Sequence, residues 1–252
     1  MPDSKDALEI ISRLLLAMEE SKNPNEFCDY ICNSVLQENN VVASYLAVVE
    51  SDGRITMVGS WGYPPERRRP DDRSSLWYPM AITDTIRTGQ VQLFKTWDDY
   101  LKKYPHLQHK VGPGKSHVCI PFSTGGRRRG GLGLSFESEL SGVLEQRKIW
   151  DILAQAGGLF VSKSWGVGVF GKSSAGIANP MDEAEIRSSL TPRDEEIIKL
   201  SIKGLTVSEI AKKLNFSEST IKQSRIALYK KFGVSRAADL EHAARVVGID
   251  LD

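Results

Sequence analysis

The stretch from Phe216 to Arg236 holds five cations, Lys222, Arg225, Lys230, Lys231 and Arg236, against one acid, Glu218. That is a local charge of +4 in a chain whose 33 basic and 32 acidic residues leave only +1 overall. On a helix turning about 100° per residue, Ile221, Leu228 and Phe232 gather on one side, and Ser219, Lys222, Gln223, Ile226 and Lys230 on the roughly opposite arc. Two cations, an amide and a hydroxyl around one aliphatic group can read base edges. Lys or Gln donates to purine acceptors, and the apolar group meets a thymine methyl. The positive field, Arg225 included, would displace counterions from phosphates. The competing reading is a basic face that is merely solvated.

Such a face needs elements that hold it still. Thr191, Pro192 and Asp194 supply an N-cap, a first helical residue with fixed φ, and an acid beside unpaired amides. Ile197 and Leu200 give that helix an apolar side, and Gly204 stops it. Thr206 and Glu209 form a capping box opening a second helix through Ile210, Ala211 and Leu214. Ser217 caps a third, running from Glu218 to about Phe232. Gly233 ends it, and Ser235 can cap a fourth through Leu240 and Val247. Only Asn215-Phe216-Ser217 joins the second to the third, which makes a helix-turn-helix unit. Free amides near Thr206 and Ser217 also suit phosphate oxygens.

The segments LTPRDEEIIKL, GLTVSEIAKKLNFSESTIKQ and LYKKFGVS resemble the LuxR/FixJ-type DNA-binding domain of bacterial transcription regulators. The resemblance spans Leu190–Val247. It implies a four-helix domain whose third helix enters the major groove of double-stranded DNA and whose fourth often supplies a dimer contact. By motif, Lys222, Gln223 and Ile226 fall at base-reading positions, and Thr220 and Lys230 at phosphate contacts. Ser224 stands where many members carry histidine, and Gln223 where an aliphatic residue is frequent. A homodimer is expected, with RNA polymerase as a further partner if the chain is an activator.

At 252 residues the chain has room for about two domains. From Asp6 to Gln37 it reads as two helices, with Leu8, Ile11, Leu15 and Met18 on one apolar face and Phe27, Ile31 and Val35 on another. Runs at Tyr45–Val49 and Ile55–Val58 flank Ser51-Asp52-Gly53, a hairpin signal. A short helix over Ile82–Thr88, a strand at Val91–Phe94 and a helical start at Asp98 follow. A second hairpin pairs Ser116–Phe122 with Leu132–Phe136 around a turn at Gly125–Gly131, and Leu144–Val161 closes the block as a helix. This order predicts an α+β sandwich with one antiparallel sheet. Gly and Ser recur between residues 163 and 189 without a helical stripe, so that stretch reads as a linker, with Trp165 and Phe170 docking on a domain surface. The expected division is 1–162, 163–189 and 190–252.

The opening helix pair, SWGYPPERRR, IRTGQVQLF and KSHVCIPFSTGGRRRGGLGLSF resemble a GAF-type sensor domain over Asp6–Val161. The resemblance implies an αβα sandwich whose sheet carries a ligand pocket roofed by residues 60–115. That roof supplies Trp61, Tyr63, Trp77 and Tyr78, which with Tyr45 are candidate contacts for a small-molecule effector. Core packing explains such aromatics equally well. Cys119 beside His117 raises redox sensing as a minor alternative, though the Cys-His dipeptide of bilin attachment and the NKFDE signature of cyclic-nucleotide GAF domains are missing. An acyl-homoserine-lactone receptor is a second ligand reading, weakened by the absence of that family's Asp-Pro pairing. A regulator gated by a protein partner, with no ligand, is a third.

Other chemistry has little to stand on. Three cysteines make no disulfide framework, and Cys28 with Cys32 read as helix packing. The histidines fall into no metal-binding spacing, and no P-loop or GxSxG elbow is present, so no enzyme activity, metal or cofactor is expected. No segment approaches the roughly 18 apolar residues of a membrane span, and the polar, acidic start is unlike a secretory signal. A cytoplasmic protein without membrane contact is expected.

Overall fold

The computed structural model describes residues 4–50, 53–64, 74–110, 112–124, 127–138, 147–165, 183–234 and 236–251. Helices α1 (Ser4–Glu20) and α2 (Pro24–Tyr30), the latter continued by a π-helical turn over Ile31–Val35, precede strands β1 (Val41–Val49) and β2 (Arg54–Trp61). Then come β3 (Ser74–Ser75), α3 (Ala81–Thr88), β4 (Gln92–Phe94), α4 (Trp97–Lys103), β5 (Ser116–Thr124), β6 (Arg127–Phe136) and α5 (Arg147–Trp165). The strands form one sheet in the order β3-β2-β1-β6-β5-β4, each neighbour antiparallel.

Alternation along the strands sorts the two faces. Val118, Ile120 and Phe122 on β5 join Leu132, Leu134 and Phe136 on β6 against α1, α2 and α5. There Phe27 stacks on Phe160 with ring centroids 4.2 Å apart. The opposite face collects Tyr45, Cys119, Ile82, Ile86, Tyr100 and Tyr104 beneath α3 and α4. The result is the α+β sandwich expected from the order of elements.

Two expectations shift here. The buried stripe of α1 is Ile10, Leu14 and Ala17, while Leu8 and Leu15 are 66% and 61% exposed. The helix carries two apolar stripes, and periodicity alone does not say which one meets the sheet. Gly130 and Gly131, read as part of a turn, lie inside β6. A Cβ on Gly130 would sit 2.4 Å from the Phe122 ring, and one on Gly131 2.5 Å from Ile82 Cδ1. Glycine is there for close approach, not for a bend.

The C-terminal block comprises α6 (Glu183–Ser188), α7 (Pro192–Ile202), α8 (Val207–Leu214), α9 (Glu218–Phe232) and α10 (Ala237–Val246). The expected capping box forms, with Thr206 Oγ1 accepting from Glu209 N at 3.3 Å, and the Thr191 N-cap completes a second, its Oγ1 accepting from Asp194 N at 3.1 Å. The Thr206 amide and hydroxyl in turn hold the Glu209 carboxyl below the usual carboxylate range. Asn215 closes α8 in the left-handed region at φ 58°, and Gly233 closes α9 at φ 62°. Ser235, Trp165 beyond its backbone, and Phe170 lie outside the described residues, as do 166–182 of the expected linker.

Candidate DNA-reading face and sensor interior

Ile221, Leu228 and Phe232 are buried, and around them Ile197, Ile198, Ile210, Leu240 and Ala243 complete a core. That packing leaves the other arc of α9 to solvent. Ser219, Lys222, Gln223, Ile226 and Lys230 are all exposed, and Ile226 is 60% so. An isoleucine held in water amid cations and an amide suits contact with a base-pair edge.

The remaining candidates around this face are placed differently. Thr206 is exposed at the start of α8. Thr220 is half-buried at the start of α9, its hydroxyl 2.7 Å from Ser217 Oγ and its amide donating to the same oxygen at 3.1 Å. Arg225 is half-buried, with its guanidinium carbon 5.9 Å from the Tyr229 ring centroid. Arg193 adds a cation that the sequence reading passed over, 3.8 Å above the Phe216 ring in the turn between α8 and α9. Its position beside the turn is tertiary, so spacing along the chain gave no signal.

In the N-terminal block, Tyr45 and Tyr63 come together, ring centroids 5.8 Å apart. Tyr45 lies flat over β6 because position 133 is glycine; a Cβ there would be 2.2 Å from its ring. The Tyr45 hydroxyl then reaches Cys119 Sγ at 3.3 Å and His117 Nε2 at 3.5 Å. His117 Nδ1 is 3.1 Å from Ser135 Oγ, and Tyr63 Oη is 3.2 Å from the same oxygen. Trp97 stacks on His117 at 5.3 Å and Tyr100 meets it edge-on at 6.0 Å. His117, Ser135, Tyr100 and Trp97 carry this interior as much as the two expected tyrosines do.

Burial keeps the cluster uncharged. It pushes the Cys119 thiol up to about 12, against the hydrogen bond from Tyr45, and His117 down to about 4. Both tyrosines are raised above their ordinary range by the same desolvation. Cys28 and Cys32 are likewise raised to about 12 by burial. Among the described residues no group of three or more His, Cys, Asp or Glu is placed to hold a metal ion. Also among them, no helix is long and apolar enough to cross a membrane.

Trp61, Trp77 and Tyr78 stand away from this cluster. Trp61 is half-buried on the helix-covered face of the sheet. Trp77 is buried in the core of the C-terminal helices, its indole N–H donating to the Phe232 carbonyl at 2.6 Å. Tyr78 sits edge-on to both His106 and His242, each at 5.3 Å.

Residues 188–244 match the family of bacterial regulatory proteins of the luxR type. They form a LuxR-type helix-turn-helix domain. Comparison with curated proteins finds no match. Among solved structures, the GAF domain of an Acinetobacter phosphoenolpyruvate-protein phosphotransferase aligns with a TM-score of 0.50 at 13% identity, over 64% of this chain and 96% of that one. The GAF domain of the corresponding Coxiella burnetii protein aligns with a TM-score of 0.50 at 14% identity, over 65% and 98%. SdiA in complex with octanoyl-rac-glycerol aligns over 98% of both chains at 16% identity, with a TM-score of 0.49. The N-terminal block is thus GAF-like in fold, joined to a LuxR-type DNA-binding domain.

Proposed function

We propose that this chain is a bacterial transcription regulator that binds operator DNA as a homodimer and answers to a small uncharged molecule in its GAF-like domain. One observation carries the reading: α9 presents Ser219, Lys222, Gln223, Ile226 and Lys230 to solvent while Ile221, Leu228 and Phe232 anchor it. Lys222, Gln223 and Ile226 read bases. Thr206, Thr220, Arg225 and Lys230 serve the phosphates, which set register and orientation. RNA polymerase is the further partner if the regulator activates.

The outward stripe of α1 supports the dimer. Leu8, Leu15 and Leu16, with Leu159 on the neighbouring α5, leave large apolar side chains in water. The neutral cluster around Tyr45, Tyr63 and His117 supports an uncharged effector with an apolar body, since among its described members, which also include Trp97, Tyr100, Cys119 and Ser135, none is a cation that would offset a buried anion. An acyl-lactone is one compound class of that description. A second reading, gating by a protein partner, draws on the way these five polar groups already satisfy one another.

The test is selection of genomic fragments by the purified protein, followed by competition with non-specific DNA. Enrichment of discrete sites, lost on Lys222→Ala with Gln223→Ala, supports the reading. Uniform retention of all fragments by both proteins overturns it.

A further inference from the structure

The two domains share a built contact, and α3 lies at its centre. On the sensor side, Thr85 Oγ1 donates to the Cys119 carbonyl at 3.4 Å, and Ile82 and Ile86 pack over Gly131. The Asp84 carboxylate accepts from Tyr104 Oη at 2.6 Å and pairs with Lys103 at 3.3 Å. Tyr104 in turn packs against Tyr100, the ring that meets His117. One turn of helix therefore touches both the polar cluster and its aromatic wall.

In the last turn of the same helix stands Arg87, whose side chain is 5% exposed. Its Nη2 pairs with Asp84 at 2.7 Å, and its Nη1 donates to the Leu76 carbonyl at 3.1 Å. Its Nε reaches Glu183 of α6 at 2.6 Å, and its guanidinium carbon lies 5.3 Å from the Trp77 ring centroid. Trp77 meets the end of α9 through the Phe232 carbonyl and its ring, centroids 5.9 Å apart. Alongside, Arg54 pairs with the buried Asp239 of α10 at 3.4 Å, and Gly53 approaches so closely that a Cβ would fall 2.0 Å from the Gly233 carbonyl oxygen.

We propose that α3 is a lever between the sensor interior and the DNA reader, with Arg87 as the positioning residue that joins them. A guanidinium fork can bind two carboxylates and a carbonyl at once, so its placement follows Asp84 while it holds Glu183. Whatever displaces Asp84 or Thr85 must shift Arg87 and Trp77, and with them the hold on α9 and α10. The reading arc stays exposed in the docked arrangement, so the lever sets where the reader points and leaves its chemistry untouched. The inference rests on the sensor-and-reader function proposed above.

Hydrogen exchange on the full-length protein, read at the amides of α10 with neither DNA nor effector present, keeps the two apart. Arg54→Glu sets like charges together at a partly buried contact and should speed α10 exchange about tenfold. Arg54→Lys, which keeps a cation opposite Asp239, should retain most of the protection, which general destabilisation by loss of the arginine would not do. Tyr104→Phe keeps the ring and removes only the hydroxyl from Asp84, inside the sensor. It should speed α10 exchange about threefold across the domain boundary. If Arg54→Glu leaves α10 unchanged, the domains are not docked this way. If Tyr104→Phe alters only sensor amides, α3 is no lever. Either result would leave the DNA-binding function standing.

Discussion

Trp77 and Phe232, 155 residues apart, meet through an indole N–H that donates to a main-chain carbonyl at 2.6 Å. The bond fastens the GAF-like domain just beyond its sheet edge to the last residue of α9, and both partners are buried. Trp77→Phe would keep an aromatic ring but leave the Phe232 carbonyl without this donor, at a cost of about 1–3 kcal/mol. Calorimetry of the full chain should show a lower melting midpoint or the separation of one transition into two. An unchanged melt would mean that the contact contributes nothing in solution.

Lys222→Ala and Lys230→Ala should weaken DNA binding in different ways. Loss of a base contact costs roughly 1–3 kcal/mol at the cognate site and little on random sequence. Loss of a phosphate contact lowers affinity across sequences and reduces the slope against salt by about 1. Titrations of a selected operator and a scrambled duplex at several salt concentrations separate the two. Identical behaviour of the variants would refute the division of roles on α9.

His117 should make stability depend on pH. A free histidine takes up its proton near 6.5, whereas the buried one does so near about 4. Between those values the unfolded chain binds more protons, so His117's contribution is complete above 6.5 and drains away as pH falls toward 4. From neutral pH down to about pH 5 the loss is about 2 kcal/mol. Urea unfolding of the wild type and of His117→Gln across that range should show the steeper decline in the wild type. Parallel curves would place His117 in a wetter setting.

If the proposed homodimer forms through the outward face of α1, Leu15→Glu should turn it into a monomer without unfolding it. Leu15 is 61% exposed and lies off the Ile10–Leu14–Ala17 stripe that meets the core. Sedimentation of wild type and variant at equal concentration reads the change. A variant that remains dimeric would move the interface elsewhere.

The reader was the more legible half because its signals are local. Thr191, Thr206 and Ser217 cap the amides within three residues of themselves, and the arc containing Ile221 and Phe232 follows from helical pitch alone. The GAF-like domain depends on partners far apart in sequence. Tyr45 reaches Cys119 across β6, and only the glycine at 133 lets it lie there. Trp77 looked like a pocket aromatic because nothing near it names Phe232. Leu8 and Leu15 of α1 mark an apolar face by their spacing, but a helix with two apolar stripes has the same periodicity on either, so spacing does not say which one is buried.

Gly133 carries a consequence for anyone who would engineer this molecule. The seat of the Tyr45 phenol is a patch of bare backbone, so a single methyl introduced at that point competes for the same volume. Gly133→Ala would act as a wedge driven from the floor upward, lifting the phenol off the strand by genetic means alone.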